Sequence, residues 1–386
     1  MRKRVRLIFP FLLTGLLMGI LLTGCGNSDA AEIGEGSKIE SGNANTEDSS
    51  GDQSSGDAEE SSSESNQNAS DDSATREIFA MDTYMTVTAY GESADAAVDA
   101  AEAEIERLDA LLSTGTESSE VAQINANGGG TLSEDGSYLM KKSLELYELT
   151  DGAFDVSIYP VMDLWGFTTQ NFKVPSDDEL KSALSLVDAS KINFDEKTGE
   201  VSFDKEGMEI DFGGIAKGYT SDQLCKIFEK YGIQSAMINL GGNVDVYGKK
   251  TDGSNWRVAI QSPTDDNGYI GVIETANKAV ITSGGYERYF EEDGVTYHHI
   301  IDPSTGYPAN SGLTSVTIIC DDGTKADGLS TSLFIMGEEK AAEFWKKHSD
   351  EFDFVLLKED GSLVISEGVE DCFTTNLETT VVKADE

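Results

Sequence analysis

Five stretches of this chain hold residues whose type and spacing could do chemistry. Asp211-Phe-Gly-Gly-Ile-Ala-Lys-Gly218 reads as the connection from a strand over Met208–Phe212 into a helix from about Ile215 to Tyr231. A Gly-Gly pair there lets backbone N–H groups approach a phosphate, and a helix N-terminus favours the negative charge; it serves equally as a plain tight connection. Lys217 falls in the first helical turn, where the helix dipole disfavours a cation. An anion held at that point would account for it. Asp327 and Thr331 are four apart, so on a helix their oxygens share one face. That pair suits Mg²⁺, a hard cation that takes few protein oxygens and completes its shell with water and substrate phosphate. Asp327 also reads as a favourable charge at a helix start.

The remaining stretches are Asp151-Gly-Ala-Phe-Asp155, leading on to Leu164-Trp-Gly166, then the tight turn Asn239-Leu-Gly-Gly-Asn243, and His299-Ile-Ile-Asp-Pro-Ser-Thr-Gly306. The histidines are His298, His299 and His348, and their spacing matches no zinc pattern. His298 and His299 are neighbours on a strand and point to opposite faces, so at most one faces a site. Asp302-Pro303 followed by Gly306 is a turn signature. No P-loop, complete dinucleotide fingerprint or Gly-x-Ser-x-Gly elbow occurs.

The elements that must position these residues follow from periodicity. Ile78–Ala89 alternates as a strand with an irregular Met81-Asp82 start. Ser93 caps a helix whose apolar stripe is Val98, Ile105, Leu108 and Leu112. Another helix covers Asp135–Thr150, and Ser176-x-x-Glu179 is a capping box opening a third. Helices are predicted over Lys325–Met336 and Glu338–Lys347, and a hairpin turns at Asp360-Gly361. Strands outnumber helices and do not alternate regularly with them, which favours an α+β fold over a doubly wound sheet.

Ahead of this domain, Arg2, Lys3, Arg4 and Arg6 precede an apolar run from Leu7 to Leu22, then Thr23-Gly24-Cys25. A cationic start, a short Pro-interrupted apolar middle and small residues before a cleavage point make an export signal over residues 1–24, in preference to a spanning helix. A cysteine in that position resembles the bacterial lipobox, in which Cys25 is diacylated and holds the protein on the outer side of the cell membrane. Residues 26–75 contain 13 Ser and 13 Asp plus Glu against one Lys. Such a segment buries too little apolar surface to offset its ordering entropy, so 25–75 reads as a disordered tether and 76–386 as one large domain.

The chain's formal charge is −43, of which residues 76–386 carry −35. That charge repels nucleic acid and excludes it as a partner. Any phosphate ligand must be met by local cations, backbone N–H groups or a metal. Beyond Cys25 the cysteines are Cys225, Cys320 and Cys372, an odd number without CxxC spacing, which reads as buried free thiols.

In order and spacing these stretches, with Ala80-Met-Asp-Thr83 and Ser283-Gly284, resemble the ApbE family of FAD:protein FMN transferases from about Phe79 to Glu370. The resemblance implies a T-fold-like α+β domain. It implies an enzyme that takes FAD, uses Mg²⁺, and joins FMN by a phosphoester bond to a Ser or Thr of an exported or membrane redox protein bearing a Ser/Thr-Gly-Ala-Ser/Thr type motif, releasing AMP. Asp327 and Thr331 would hold Mg²⁺ with the Gly214 carbonyl. Met81, Ala153, Phe154, Asp155, Asp211, Lys217 and Ile300 would line the FAD site, and His299 or a nearby carboxylate would take the acceptor proton. This chain departs from the family pattern at Asp82, usually Gly, at Gly115, where many members have a flavin-stacking Tyr, and at Ser330, often acidic. Two other activities fit the same residues: a FAD pyrophosphatase with water as attacker, and a flavin-binding lipoprotein without catalysis.

Overall fold

The structure is a computed structural model and describes residues 72–265 and 268–384. The signal, Cys25 and the tether up to residue 71 lie outside the described residues.

The chain opens with β1 (Ser73–Ala80) and β2 (Thr83–Tyr90), then α1 (Ala94–Leu112), α2 (Glu120–Asn127), β3 (Gly129–Thr131) and α3 (Glu134–Leu149). Next come α4 (Tyr159–Trp165), α5 (Asp177–Leu184), β4 (Ile192–Asp195), β5 (Glu200–Phe203) and α6 (Ala216–Tyr231). β6 (Ser235–Leu240), β7 (Asn243–Gly248), β8 (Trp256–Gln261), β9 (Tyr269–Thr275), β10 (Lys278–Gly284), β11 (Tyr289–Glu292), β12 (Val295–His298) and β13 (Leu313–Cys320) follow. The chain closes with α7 (Gly323–Lys346), β14 (Phe352–Lys358), β15 (Leu363–Ser366), β16 (Phe373–Thr374) and β17 (Thr379–Val382).

A nine-stranded sheet in the order β1-β2-β6-β7-β10-β13-β14-β15-β17 is the backbone of the fold. Its pairs are antiparallel except β15 with β17. On one face, α1 and α6 bury Val98, Ile105, Leu224 and Phe228 against Met85, Val87 and Ile238. On the other, Trp256, Val258 and Ile273 of the small sheet β16-β9-β8 pack on Val246, Val280 and Val355. The α+β class is therefore as expected, and the period-2 burial of β8 shows why: alternate residues Trp256, Val258 and Ile260 are inside.

Several expectations change. The strand read as Ile78–Ala89 is a hairpin: Met81 (φ 48°) and Asp82 (φ 59°) are its two-residue turn, and Phe79 pairs with Tyr84. Positive φ at both central residues matches the right-handed twist of the strands. β1 begins within the segment read as tether, since Ser73–Thr75 pair with Thr88–Tyr90. Ser93 stands at the α1 N-cap but makes no side-chain capping bond. The predicted strand Met208–Phe212 pairs with no strand among the described residues; Asn125 exchanges two hydrogen bonds with Ile210 (2.8 and 2.9 Å), and Asp211 N–H donates to the Val156 carbonyl (2.9 Å). The capping box at Ser176 and Glu179 is present, and the predicted division of the last helix falls at Gly337 (φ 77°) within α7. Cys225, Cys320 and Cys372 are free thiols.

Candidate active site

The site is assembled where α6 and α7 cross. Asp327 sits in the first turns of α7 and is 4% exposed. Its Oδ2 accepts the Gly218 N–H at 2.8 Å, and its Oδ1 accepts from Asn243 Nδ2 at 2.9 Å. Only glycine fits at 218, because a Cβ there would stand 2.1 Å from the Gly323 carbonyl oxygen. Asp222 of α6 ties the same crossing from outside, accepting the Gly323 and Thr324 N–H groups (each 2.9 Å); burial pushes its carboxyl up to about 6. The Asn239–Asn243 turn is thus linked to Asp327 directly, and Ser283 at the end of β10 is linked to Thr331 (3.2 Å).

The Asp151–Asp155 loop reaches the site through Phe154. Its ring is buried and lies close enough to Gly214 that a Cβ at 214 would meet Phe154 Cε2 at 2.9 Å. Asp155 does something other than line a ligand. Its Oδ1 accepts from Ser157 N and Oγ (2.8 and 2.6 Å) and its Oδ2 from Ala189 N (3.2 Å), so both oxygens are used to hold the loop. Ile300 likewise is a core side chain, 3% exposed, and its backbone N–H and carbonyl are bonded to His298 Nδ1 (3.3 Å) and Ala309 N (2.9 Å). Ala153 is half-buried beside them. Met81, at the hairpin tip, is fixed by its N–H to Asp109 (2.9 Å), and its sulfur reaches Thr220 on α6 (4.0 Å).

The charges converge at the same place. Asp211 accepts the Gly213 N–H (2.8 Å); burial raises its pKa, opposed by that bond and by Arg288. Lys217 makes no ion pair among the described residues, yet it lies within the field of both Glu287 and His299. Glu287 is pushed up to about 7 by burial, against the pull of Lys217 and Arg288 and with the push of Asp327. Glu287 and Arg288 are the members that sequence reasoning missed. Their only signal was an arginine beside a carboxylate just after Ser283-Gly284 in a very acidic chain.

The histidines divide as expected. His298 Nε2 donates to the Ala309 carbonyl (3.0 Å) and its Nδ1 accepts from Ile300 N (3.3 Å), so both nitrogens serve the fold. His299 Nδ1 faces the Arg288 carbonyl at 3.2 Å, and a carbonyl can only accept. The proton is therefore on Nδ1, and Nε2 keeps its lone pair. Burial and the Arg288 guanidinium push this imidazole down to about 3, so it is neutral at physiological pH.

Asp327, Thr331 and the Gly214 carbonyl, the residues expected at a metal, would offer it only oxygens, one of them a carboxylate. No group of three or more His, Cys, Asp or Glu side chains suited to a metal occurs among the described residues. The set still fits Mg²⁺, which needs one or two carboxylates, and each Asp327 oxygen keeps a lone pair beyond its hydrogen bond. The Ser113-Thr114-Gly115 loop turns on the Ser113 hydroxyl, which accepts from Gly115 N (3.2 Å). The Tyr159 phenol lies against Thr114 there and within the field of Asp211. An open hollow of about 420 Å³ beside Tyr159 is lined by Asp163, Glu179 and Glu209 among others, a set that repels a diphosphate.

The profile of the ApbE family matches residues 81–356. A FAD:protein FMN transferase of Haemophilus influenzae is 33% identical over 270 residues, 67% of this chain and 78% of that protein. One of Klebsiella pneumoniae is 33% identical over 266 residues, 68% of this chain and 82% of its own length. Among solved structures, the ApbE protein of Thermotoga maritima superposes with a TM-score of 0.72 at 35% identity, over 77% of this chain and 98% of that one. The flavin transferase ApbE of Vibrio cholerae gives 0.67 at 26% identity, over 80% and 97%.

Proposed function

This chain belongs to the ApbE family, and from that premise we infer that it is a FAD:protein FMN transferase that moves FMN from FAD to an acceptor protein. In this reading the acceptor's Ser or Thr oxygen attacks the FMN phosphorus. The bond from that phosphorus to the bridging oxygen breaks, AMP leaves with the bridging oxygen, and the acceptor's proton passes to a base. Phosphoryl transfer of this kind needs positioning and charge neutralisation more than covalent help.

The observation that carries the reading is a lone-pair base beside two cations in a domain of charge −35. His299 Nε2 is the base; Lys217 and Arg288 hold the diphosphate; the Gly213-Gly214 turn allows close backbone approach. A bound diphosphate opposes the cations that depress the His299 pKa, so the base strengthens when FAD is in place. Asp327 and Thr331 would hold Mg²⁺ with the Gly214 carbonyl. The cation would neutralise the diphosphate charge. Tyr159 supplies the aromatic face that Gly115 cannot.

Cys25 carries the lipid in this reading, and residues 26–72 let one anchored enzyme reach exported or membrane redox proteins with the Ser/Thr-Gly-Ala-Ser/Thr type motif. The test incubates the full chain with FAD, Mg²⁺ and a protein bearing that motif, and reads in-gel flavin fluorescence and AMP. Fluorescent acceptor with stoichiometric AMP is expected. AMP without labelled acceptor would replace this reading by a FAD pyrophosphatase, and neither product would leave a flavin-binding protein.

A further inference from the structure

A hydroxyl that binds a cation must present lone pairs and send its proton elsewhere. Thr331 has one proton and two acceptor positions, and three hydrogen bonds around it decide where the proton goes. Ser330 Oγ lies 2.8 Å from the Asp327 carbonyl oxygen, which can only accept, so Ser330 donates. With its one proton used, Ser330 can only accept in its 2.7 Å contact with Ser283 Oγ. Ser283 therefore donates to Ser330, and in its 3.2 Å contact with Thr331 it must accept.

We propose that Ser283 and Ser330 form a one-way hydroxyl relay that draws the Thr331 proton away and leaves Thr331 Oγ1 as a lone-pair donor to a divalent cation. The inference rests on the metal reading above. The relay runs from Thr331 through Ser283 on β10 to Ser330 and ends on the carbonyl of Asp327. It thus links the Thr331 hydroxyl to the main chain of Asp327, the two residues that would hold the cation, by a path other than the cation itself. Ser330 is fully buried and Ser283 half-buried. Both are positioning residues, since each spends its one proton within the relay and acts on a cation only through Thr331. Removing Ser283 frees the Thr331 proton to turn toward the cation. Removing Ser330 takes away the acceptor that Ser283 needs, so Ser283 can donate to Thr331 and reverse the first step. Both changes present a proton where a lone pair is required, and second-layer hydrogen bonds of this kind alter metal affinity by roughly 10–100-fold.

The test measures Mn²⁺ binding to the full chain in detergent by electron paramagnetic resonance, which needs no turnover. Ser283→Ala and Ser330→Ala should each weaken Mn²⁺ about 10-fold, while Ser283→Thr keeps wild-type affinity. Ser283→Ala combined with Thr331→Val should bind no more weakly than Thr331→Val alone, because the relay acts only through that hydroxyl. Wild-type affinity in both single serine variants, or losses that multiply in the double variant, would overturn the relay while Asp327→Asn still loses the metal. Equal Mn²⁺ affinity in wild type, Asp327→Asn and Thr331→Val would overturn the metal reading and the relay with it. Thermal melting accompanies each variant, and should Ser283→Ala fail to fold, Ser330→Ala decides the matter by the same criterion.

Discussion

At the scale of single residues, the site pairs two groups with opposite displacements. His299 is held neutral with a free Nε2, and Glu287 is pushed up to about 7. A general base works best with a pKa near the working pH, so these two make different predictions. With His299 as base, His299→Asn lowers kcat by about 10²-fold or more, whereas His298→Asn acts mainly on stability. The acid limb of kcat/KM for FAD then lies well below pH 6. An acid limb near 7 that vanishes in Glu287→Gln would move the role to the carboxylate. Tyr159 is tested by KM: Tyr159→Ala should raise KM for FAD about 10-fold with a smaller change in kcat, since aromatic stacking contributes roughly 1 kcal/mol or more. Tyr159→Phe, which keeps the ring, should stay near wild type.

At the scale of elements, the α6–α7 crossing is the part that cannot be varied. Gly218 offers its N–H to Asp327 and leaves room for the Gly323 backbone. Gly218→Ala places a methyl against rigid backbone on a neighbouring helix. It should cost about 1–3 kcal/mol in urea unfolding, with Mg²⁺ affinity reduced because α7 must shift. The extended segment Met208–Phe212 shows a second device. Asn125, together with the Val156 carbonyl, stands in for a strand partner there, so the loop that carries Asp211 and Gly214 is held without joining a sheet. Asn125→Ala should leave the far-UV spectrum nearly unchanged while weakening FAD binding, and a fully retained affinity would remove Asn125 from the site's support.

At the scale of the whole molecule, acidity governs stability. Burial raises Asp222 to about 6, Asp245 to about 7 and Glu287 to about 7. A carboxyl whose folded pKa lies above its unfolded value stabilises fully below the unfolded value, near 4, and loses that contribution as pH rises through the folded value. Unfolding free energy should therefore fall between about pH 4 and pH 7. His299 has the opposite sign, since its depressed pKa costs stability as pH falls from 6.5 toward 3. Comparing Asp245→Asn with wild type cancels that opposing part. The variant should show a shallower decline from pH 4 to 7, read by denaturant midpoints. A parallel pair of curves would mean that Asp245 titrates in its ordinary range.

Much of this protein was legible in the one-dimensional chain, for identifiable reasons. Period-2 burial in β8, the capping box at Ser176 and the break at Gly337 are local, so neighbouring residues alone specify them. The order of the glycine-rich turns, with Asp327, Thr331, Lys217 and His299, was enough to reach the family. Tertiary structure decided what local rules cannot express. Asp155 and Asp211 look alike in sequence, but the first spends both oxygens on Ser157 and Ala189 while the second lies in the field of Arg288. Ser330 reads in sequence only as a missing carboxylate, and its partner Ser283, 47 positions earlier, is seen to lie 2.7 Å away only in the fold. Hydrogen-bond direction, burial and the sum of nearby charges arise between segments far apart in the chain, and only the folded chain brings those segments together.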